Sequence, residues 1–230
     1  MEIADLKRKW DHLGKEDPLW AILTDPEKQG NRWDREEFFE TGRCDASRFF
    51  ALARFLSPEM ATASALDFGC GVGRLTFGLT EFFAEVTGVD ISESMITRAK
   101  ELTTSTQVTF LQNGAPDLSI LPDRSYDFLL SHIVLQHVPA RYHGVFVTEF
   151  MRVLRPSGVA LFQLPEPFSE EWGSRRFDPE RKLKIDMYGS TQADVLTWVQ
   201  NAGGRILQVV NDGSCGPEHL SYRYVVKKTG

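Results

Sequence analysis

A glycine-rich segment between two apolar runs constrains this 230-residue chain more than any other feature. Residues 66–73 read LDFGCGVG, and a second apolar run, VTGVD, ends at Asp90. Glycines permit a sharp turn from a strand into a helix and a close approach of the backbone to a ligand. An acidic residue at the end of the next strand can accept hydrogen bonds from both hydroxyls of a ribose. The two features together predict a site for a cofactor that contains a nucleoside.

The spacing of the glycines separates two classes of cofactor. A dinucleotide-binding fingerprint needs G-x-G-x-x-G. Counted from Gly69, the third glycine position is Arg74; counted from Gly71, it is Thr76. The chain instead has an acid, Asp67, two residues before Gly69. A carboxylate there would repel a pyrophosphate, whereas it suits the sulfonium and ammonium groups of S-adenosylmethionine (SAM), so the segment favours SAM.

Apolar runs typical of strands alternate with amphipathic runs typical of helices after residue 64. Strands are predicted at 65–69, 85–90, 108–112, 126–135, 158–164, 205–210 and 221–228, and helices at 74–83, 92–102, 141–154 and 192–202. This alternation predicts right-handed βαβ units on a mostly parallel sheet. No helix fits between the last two strands, so they should pair antiparallel. We expect an α/β fold: a Rossmann-like, seven-stranded, mostly parallel sheet whose last strand is antiparallel, with helices on both faces.

Residues 66–90 and the VLRPSG turn at 153–158 resemble class I SAM-dependent methyltransferases. The resemblance extends from about residue 64 to the C-terminus. It implies an enzyme that transfers a methyl group from SAM to a small molecule, with oxygen as the leading acceptor atom and nitrogen and carbon as open alternatives. The WDxxEFFxTG and SYRYVV patterns near the two ends are similar to those of bacterial members with uncharacterised functions or functions in natural-product or sugar-related metabolism.

The resemblance also assigns cofactor contacts at the ends of the first four strands. They are Asp67, Gly69, Gly71 and Arg74 for the methionine end, Asp90 for the ribose, and Ile91 and Met95 for the adenine face, unless these two are ordinary core residues. His132 should lie beside the methionine. The family's acid that binds the adenine amino group is replaced here by Gly114. Either the Asn113 side chain or the backbone of Gly114 and Ala115 should make that contact.

A segment rich in histidine, SHIVLQHVPARYH at 131–143, follows the fourth strand. An oxygen acceptor needs a base that is neutral near physiological pH, and histidine is such a base. His137 is the first candidate, because Pro139 fixes the turn where the chain leaves the strand. His143 is expected on the surface of the next helix. The alternative is that no base is used, since SAM is already an activated electrophile and positioning can be sufficient.

Two regions outside the predicted core are candidates for the walls of the acceptor site. Residues 1–63 are rich in aromatic side chains and are interpreted as a helical cap or lid on a SAM-binding core at 64–230; the alternative is an arm that covers the sheet edge. Residues 166–190 form a polar insertion that should lie near the substrate, or be a plain surface loop. The residues expected to contact substrate or to form the lid are Trp33, Phe38, Phe39, Arg43, Gln136 and Trp172.

The helices of the N-terminal region are predicted from capping residues. Asp34 begins a short helix that ends at Gly42. Asp45 or Ser47 would cap a second helix that continues to Leu56. Because Phe38 and Phe39 cannot share one side of a helix, we expect one to pack on the core and the other to reach the site.

Charge and composition narrow the classes of partner. A net charge of −6 disfavours nucleic acid, and no apolar run is long enough to span a membrane. Three cysteines without metal-type spacing, and an N-terminus without an apolar leader, fit a reducing cytoplasm. We expect a cytoplasmic protein with a small-molecule acceptor and no metal, while the oligomeric state stays open. Two other classes also stay open: an NAD-type Rossmann oxidoreductase and a non-catalytic SAM-binding regulatory protein.

Overall fold

The computed structural model describes residues 1–103, 105–168, 186–216 and 219–230. These residues form one sheet flanked by helices. The strands are β1 (Ser64–Phe68), β2 (Glu85–Asp90), β3 (Val108–Gln112), β4 (Tyr126–Ser131), β5 (Leu154–Pro165), β6 (Gly204–Asn211) and β7 (Ser221–Lys228). The α-helices are α1 (Ile3–Glu16), α2 (Pro18–Ile22), α3 (Arg35–Leu56), α4 (Arg74–Leu79), α5 (Glu93–Leu102), α6 (His143–Val153) and α7 (Gln192–Asn201).

The strand order of the seven-stranded sheet is β3-β2-β1-β4-β5-β7-β6. Strands β1 to β5 pair in parallel, and β7 is antiparallel to both β5 and β6. The predicted Rossmann-like sheet with an antiparallel last strand is therefore confirmed. The order reverses between β1 and β4, and ligands of such sheets bind beyond the carboxyl ends of the strands at this point.

Helices cover both faces of the sheet, as expected. On one face, α3 and α4 pack through Phe49 and Leu79 against a cluster that includes Leu161. On the other face, α6 and α7 contribute Phe150 and Val199 to the largest apolar cluster. Successive residues of a strand point to opposite faces, so each buried strand serves both clusters.

One long helix replaces the two short helices predicted near the N-terminus. Asp34 caps α3 as predicted, because its side chain accepts a hydrogen bond from the backbone of the first turn. The prediction that Gly42 ends this helix was wrong. A Cβ atom on Gly42 would lie 2.0 Å from the backbone oxygen of Arg74, so the glycine allows α3 to pack closely against α4. Asp45, predicted as a second cap, lies inside α3.

The fourth strand is shorter than the predicted 126–135. It ends at Ser131, and Ile133 has a φ of 60°, which is incompatible with an extended strand. Residues Leu135–His137 then form a 3-10 helix. The histidine-rich segment is therefore a loop above the edge of the sheet. Within the described residues, no helix has the length and apolarity to cross a membrane.

Candidate functional site

A cavity lies beyond the carboxyl ends of β1, β2 and β4, where the strand order reverses. It is lined by most of the residues predicted to bind the cofactor: Asp67, Gly69, Gly71, Arg74, Asp90, Ile91, Met95, Asn113, Ala115 and His132. The predicted catalytic residue His137 also lines it, whereas Gly114 does not. The fold thus brings together residues from four segments of the chain.

The glycine loop after β1 is fastened to β2. Gly69 and Gly71 have φ angles of 79° and 53°, a conformation that favours glycine. The backbone N–H groups of Gly69 and Cys70 donate to the carbonyl of Val89 at 2.7 and 3.1 Å. The loop therefore presents its backbone directly to the cavity.

Asp90 holds this loop and still has acceptor capacity. Its Oδ2 accepts a hydrogen bond from Gly71 N at 2.8 Å, and its Oδ1 accepts one from Ser92 N at 2.8 Å. Each carboxylate oxygen has a second lone pair, so a ribose hydroxyl can still donate to either. Burial raises the pKa of Asp90 to about 6, so the carboxyl is mostly ionised at neutral pH.

Asp67 is a second carboxyl in the same cavity. It is 1% exposed, and Thr76 Oγ1 donates to its Oδ2 at 2.6 Å. Burial raises its pKa to about 6, and the nearby charge of Asp90 acts in the same direction. Two buried acids that face one cavity favour a cationic ligand, which would stabilise their ionised forms.

Arg74 is the basic group of the site and is held by α3. Its Nη1 donates to Asp45 Oδ2 at 2.8 Å and to Thr41 Oγ1 at 3.2 Å. The side chain is buried but lines the cavity. Asp45 is thus a supporting residue that the sequence did not reveal, because its partner lies on another helix.

Asn113 shapes the loop at the predicted adenine end. Its Nδ2 donates to the carbonyl of Asp117 at 2.6 Å, and its Oδ1 accepts from Ala115 N at 3.1 Å. Asn113 and Ala115 both line the cavity. The local hydrogen bonds of Asn113 fix the backbone that would face the adenine.

His137 has a defined orientation beside the cavity. Its Nδ1 lies 3.1 Å from the carbonyl oxygen of Asp186, which can only accept, so Nδ1 carries the proton. Its Nε2 is then the basic nitrogen and accepts from Gln136 Nε2 at 3.1 Å. The imidazole packs against Trp10 with ring centroids 5.4 Å apart.

The other two histidines of this segment differ from His137. His132 Nδ1 is buried without a hydrogen-bond partner among the described residues, and burial lowers the pKa of this histidine to about 4. The prediction that His143 lies on the surface was wrong, since it is fully buried. Its Nε2 lies 2.9 and 2.7 Å from the carbonyls of Leu135 and Val138. His143 therefore anchors the loop that carries His137.

Helices α1 and α2 form one wall of the cavity. Ile3, Leu6 and Trp10 of α1 and Ile22 of α2 line the cavity. A Cβ atom on Gly71 would lie 2.5 Å from Ile22 Cδ1, so α2 closes directly onto the glycine loop. The spacing of Ile3, Leu6 and Trp10 on one face of α1 was the sequence signal for this wall.

Helix α1 is tied to the core by polar contacts. Ser92 Oγ and Ser94 N donate to Asp11 Oδ1 at 3.0 and 3.3 Å. Lys9 forms a salt bridge with Asp186, whose carbonyl oxygen lies 3.1 Å from His137 Nδ1. These contacts hold the apolar side of α1 against the cavity.

The residues predicted to form the lid lie elsewhere. Phe38 and Phe39 are both buried in a cluster with Val72 and Met95, and Trp33 packs on Phe38. The expectation that one phenylalanine reaches the site is not met, because α1 and α2 enclose this part of α3. The remaining predicted substrate residues are placed as follows: Arg43 pairs with Glu40, Gln136 lies behind His137, and Trp172 is outside the described residues.

Residues 66–162 match the family model described as a methyltransferase domain. The chain is 33% identical to the trans-aconitate 2-methyltransferase of Azoarcus sp. (strain BH72) over 142 residues, which cover 60% of this chain and 53% of that protein. It is 37% identical to the demethylmenaquinone methyltransferase of Staphylococcus aureus (strain JH9) over 102 residues, 42% of this chain and 41% of that protein. The chain thus spans about half the length of these curated relatives.

The fold is similar to that of magnesium protoporphyrin IX methyltransferase from Synechocystis PCC 6803, solved with bound S-adenosylhomocysteine (SAH). The TM-score is 0.69 at 17% identity, covering 99% of this chain and 100% of the other. At this identity the similarity shows a shared fold alone. Among the described residues, no group of three or more His, Cys, Asp or Glu side chains could hold a metal ion.

Proposed function

Residues 66–162 belong to the methyltransferase domain family, and on this premise we propose that the chain methylates an oxygen atom of a small-molecule acceptor in natural-product or sugar-related metabolism. The family match, the methyltransferase relatives and the similar fold of an SAH-bound methyltransferase support the assignment to class I SAM-dependent methyltransferases with SAM as cofactor. The observation that carries the proposal is the pair of buried acids, Asp67 and Asp90, in one cavity. Two ionised carboxylates that face one cavity suit a nucleoside-containing cofactor that carries positive charge.

The proposed position of SAM follows from the charges of the cavity. Asp90 accepts hydrogen bonds from the ribose hydroxyls, and Asp67 faces the cationic methionine end. Arg74 faces the methionine carboxylate. Ile91 and Met95 pack against the adenine, together with the apolar side of α1.

The proposed chemistry is a direct displacement. The acceptor oxygen forms a bond with the methyl carbon, the bond from that carbon to sulfur breaks, and SAH leaves. The hydroxyl of the acceptor replaces Gln136 Nε2 as the hydrogen-bond partner of His137 Nε2, the nitrogen left basic by the contact with Asp186, and its proton passes to that nitrogen. Enclosure by α1 and α2 excludes water, so that the methyl group is kept for the acceptor.

The curated relatives support a small-molecule methyl acceptor but do not identify it. The name of one relative specifies trans-aconitate, and that of the other demethylmenaquinone. A methyl acceptor that is a small molecule is common to both names. The acceptor of this chain must be argued from its own residues.

The affinity for SAM should fall as the pH is lowered through about 6. Asp67 and Asp90 have pKa values raised to about 6, so protonation removes two negative charges that face a cation. Because these values lie above those of unfolded carboxyls, at about 4, the stability that these two carboxyls contribute to the ligand-free protein should be lost as the pH rises from about 4 to 6. SAM binds the ionised forms and offsets this loss.

Calorimetric titration with SAM and SAH at several pH values between 5 and 7.5 measures this effect. SAH lacks the sulfonium charge, so its affinity should change less than that of SAM. Equal pH dependence for the two ligands, or none for either, would contradict the proposed role of the two acids.

Residues 1–63 are proposed to act as a lid whose moving part is α1. Because Ile3, Leu6 and Trp10 cover the cavity, α1 must open for SAM to enter. Binding of SAH should shift the population to the closed state and slow tryptic cleavage at Lys7 and Lys9. The variant Asp11→Ala, which loses the contacts to α5, should be cleaved faster without ligand.

Mass spectrometry of the fragments locates the cuts. Cleavage at Arg124, an exposed position before β4 that does not line the cavity, serves as the internal reference for protease activity. If SAH changes the rate at α1 no more than at Arg124, α1 is a fixed wall rather than a lid.

A further inference from the structure

A second set of polar groups lies beside the cofactor cavity, on the sheet face that α3 covers. We call it the polar cluster; it consists of His132 after β4, Gln163 on β5, Asp212 after β6 and Arg223 on β7. β7 is antiparallel to β5 and β6, so Arg223 and Asp212 lie at the carboxyl end of β5. Gln163 and Arg223 are paired directly in the sheet.

Each residue of the polar cluster has a buried polar atom without a hydrogen-bond partner among the described residues. These atoms are His132 Nδ1, Gln163 Oε1, Asp212 Oδ2 and Arg223 Nε. Buried polar atoms in native proteins almost always have a partner in the protein, in ordered water or in a ligand. Four such atoms on four elements at one edge of the sheet indicate a site for a polar molecule.

The two charged members do not neutralise each other by contact. Within the described ranges, neither Asp212 nor Arg223 forms a salt bridge, although both are only partly exposed. The Arg223 guanidinium lies 5.9 Å from the centre of the Phe49 ring, and the His132 ring lies 4.9 Å from it. Phe49 is therefore an apolar wall shared by Arg223 and His132.

The polar cluster is continuous with the proposed reaction centre. Gln163 Nε2 donates to Gln136 Oε1 at 3.0 Å, and Gln136 Nε2 lies 3.1 Å from His137 Nε2. His132 also lines the cofactor cavity itself. A molecule bound in the polar cluster would therefore have one end directed towards the cavity and His137.

We propose that the polar cluster binds the methyl acceptor and that this acceptor is a hydroxylated carboxylic acid. Its carboxylate binds Arg223, and its hydroxyl groups donate to Asp212 and Gln163. The hydroxyl that faces the cavity is methylated: its oxygen bonds to the methyl carbon, SAH leaves, and the proton passes to His137. A flat apolar acceptor would leave these charges and polar atoms without partners. This inference rests on the proposed function.

The test measures binding of three probes to the protein saturated with SAH. They are 4-hydroxybenzoate, its neutral counterpart 4-hydroxybenzamide, and menadiol as a flat apolar molecule. We expect the acid to bind about ten- to a hundredfold more tightly than the amide. Arg223→Gln should abolish this difference and leave SAH affinity unchanged. Arg205→Gln, an exposed position on β6, is the matched control and should behave as wild type.

A second measurement follows SAH release from SAM with a panel of aliphatic and aromatic hydroxy acids. The products should be methyl ethers, which resist alkali, whereas methyl esters would release methanol. Asp212→Asn should slow acids that carry several hydroxyls more than it slows 4-hydroxybenzoate. Circular dichroism checks that each variant is folded.

Three results would overturn the inference. They are equal binding of the acid and the amide, unchanged acid binding in Arg223→Gln, and no binding of any acid. The last result would mean that the polar cluster holds only water. If wild type fails to bind SAH, the proposed function itself fails. If wild type binds SAH but methylates menadiol faster than any hydroxy acid, the inference alone fails.

Discussion

Replacement of His137 by alanine is expected to lower turnover by about 10²–10⁴-fold while the affinity for SAM changes little. His137 lines the cavity, and its contact with the carbonyl of Asp186 leaves Nε2 as the basic nitrogen. Without it, the proton of an alcohol acceptor loses the base proposed to accept it. Turnover is measured as SAH release at saturating SAM, and affinity by calorimetric titration.

Two comparisons make this result specific to His137. His12→Ala, at an exposed position on α1, should retain wild-type turnover. The wild-type rate at saturating SAM should fall in acid, because a protonated imidazole cannot accept a proton, and this fall should be absent in His137→Ala. Near-normal turnover of the variant at neutral pH would mean that positioning alone accounts for catalysis.

The variant Asp90→Ala is expected to weaken SAM binding by about 1.5–3 kcal/mol, or about ten- to a hundredfold. The carboxylate has two roles, since it would accept hydrogen bonds from the ribose and it already accepts them from Gly71 N and Ser92 N. Loss of Asp90 therefore removes a ligand contact and loosens the glycine loop. Calorimetric titration with SAM measures the effect.

Two variants separate the contributions of the acids. Asp90→Asn keeps an acceptor oxygen but loses the charge, so its defect should be smaller than that of Asp90→Ala. Asp67→Asn should also weaken SAM binding, through loss of a favourable charge. Wild-type affinity in folded Asp90→Ala would rule out the ribose assignment.

The parts of the fold that depend on local pattern could be read from the sequence. The glycine loop, the helix cap at Ser92 and the runs of β2 and β3 are set by residues adjacent in the chain, and the structure has them where predicted. The continuity of α3 could not be read, because Gly42 serves a contact with α4, a distant segment. The burial of His143 likewise involves a distant residue, because Ser190 Oγ donates a hydrogen bond to His143 Nδ1 at 2.8 Å.

The candidate site likewise has parts that could be predicted from the sequence and parts that could not. Asp67 and Asp90 belong to one strand–loop–strand unit, so their convergence follows from the sequence. Tertiary packing determines that α1 covers the cavity. The aromatic segment around Phe38, which was predicted to do so, is buried beneath α1 and α2. The polar cluster joins residues from four elements, and a single sequence has no local pattern that would reveal it.

We propose that the cavity between β1, β2 and α1 binds SAM and not a dinucleotide. Calorimetric titration of the wild-type protein with SAM, SAH and NAD, repeated with Asp90→Ala, tests it most directly. We expect saturable one-to-one binding of SAM and SAH, weakened in Asp90→Ala, and no binding of NAD. Binding of NAD without binding of SAM or SAH would contradict it.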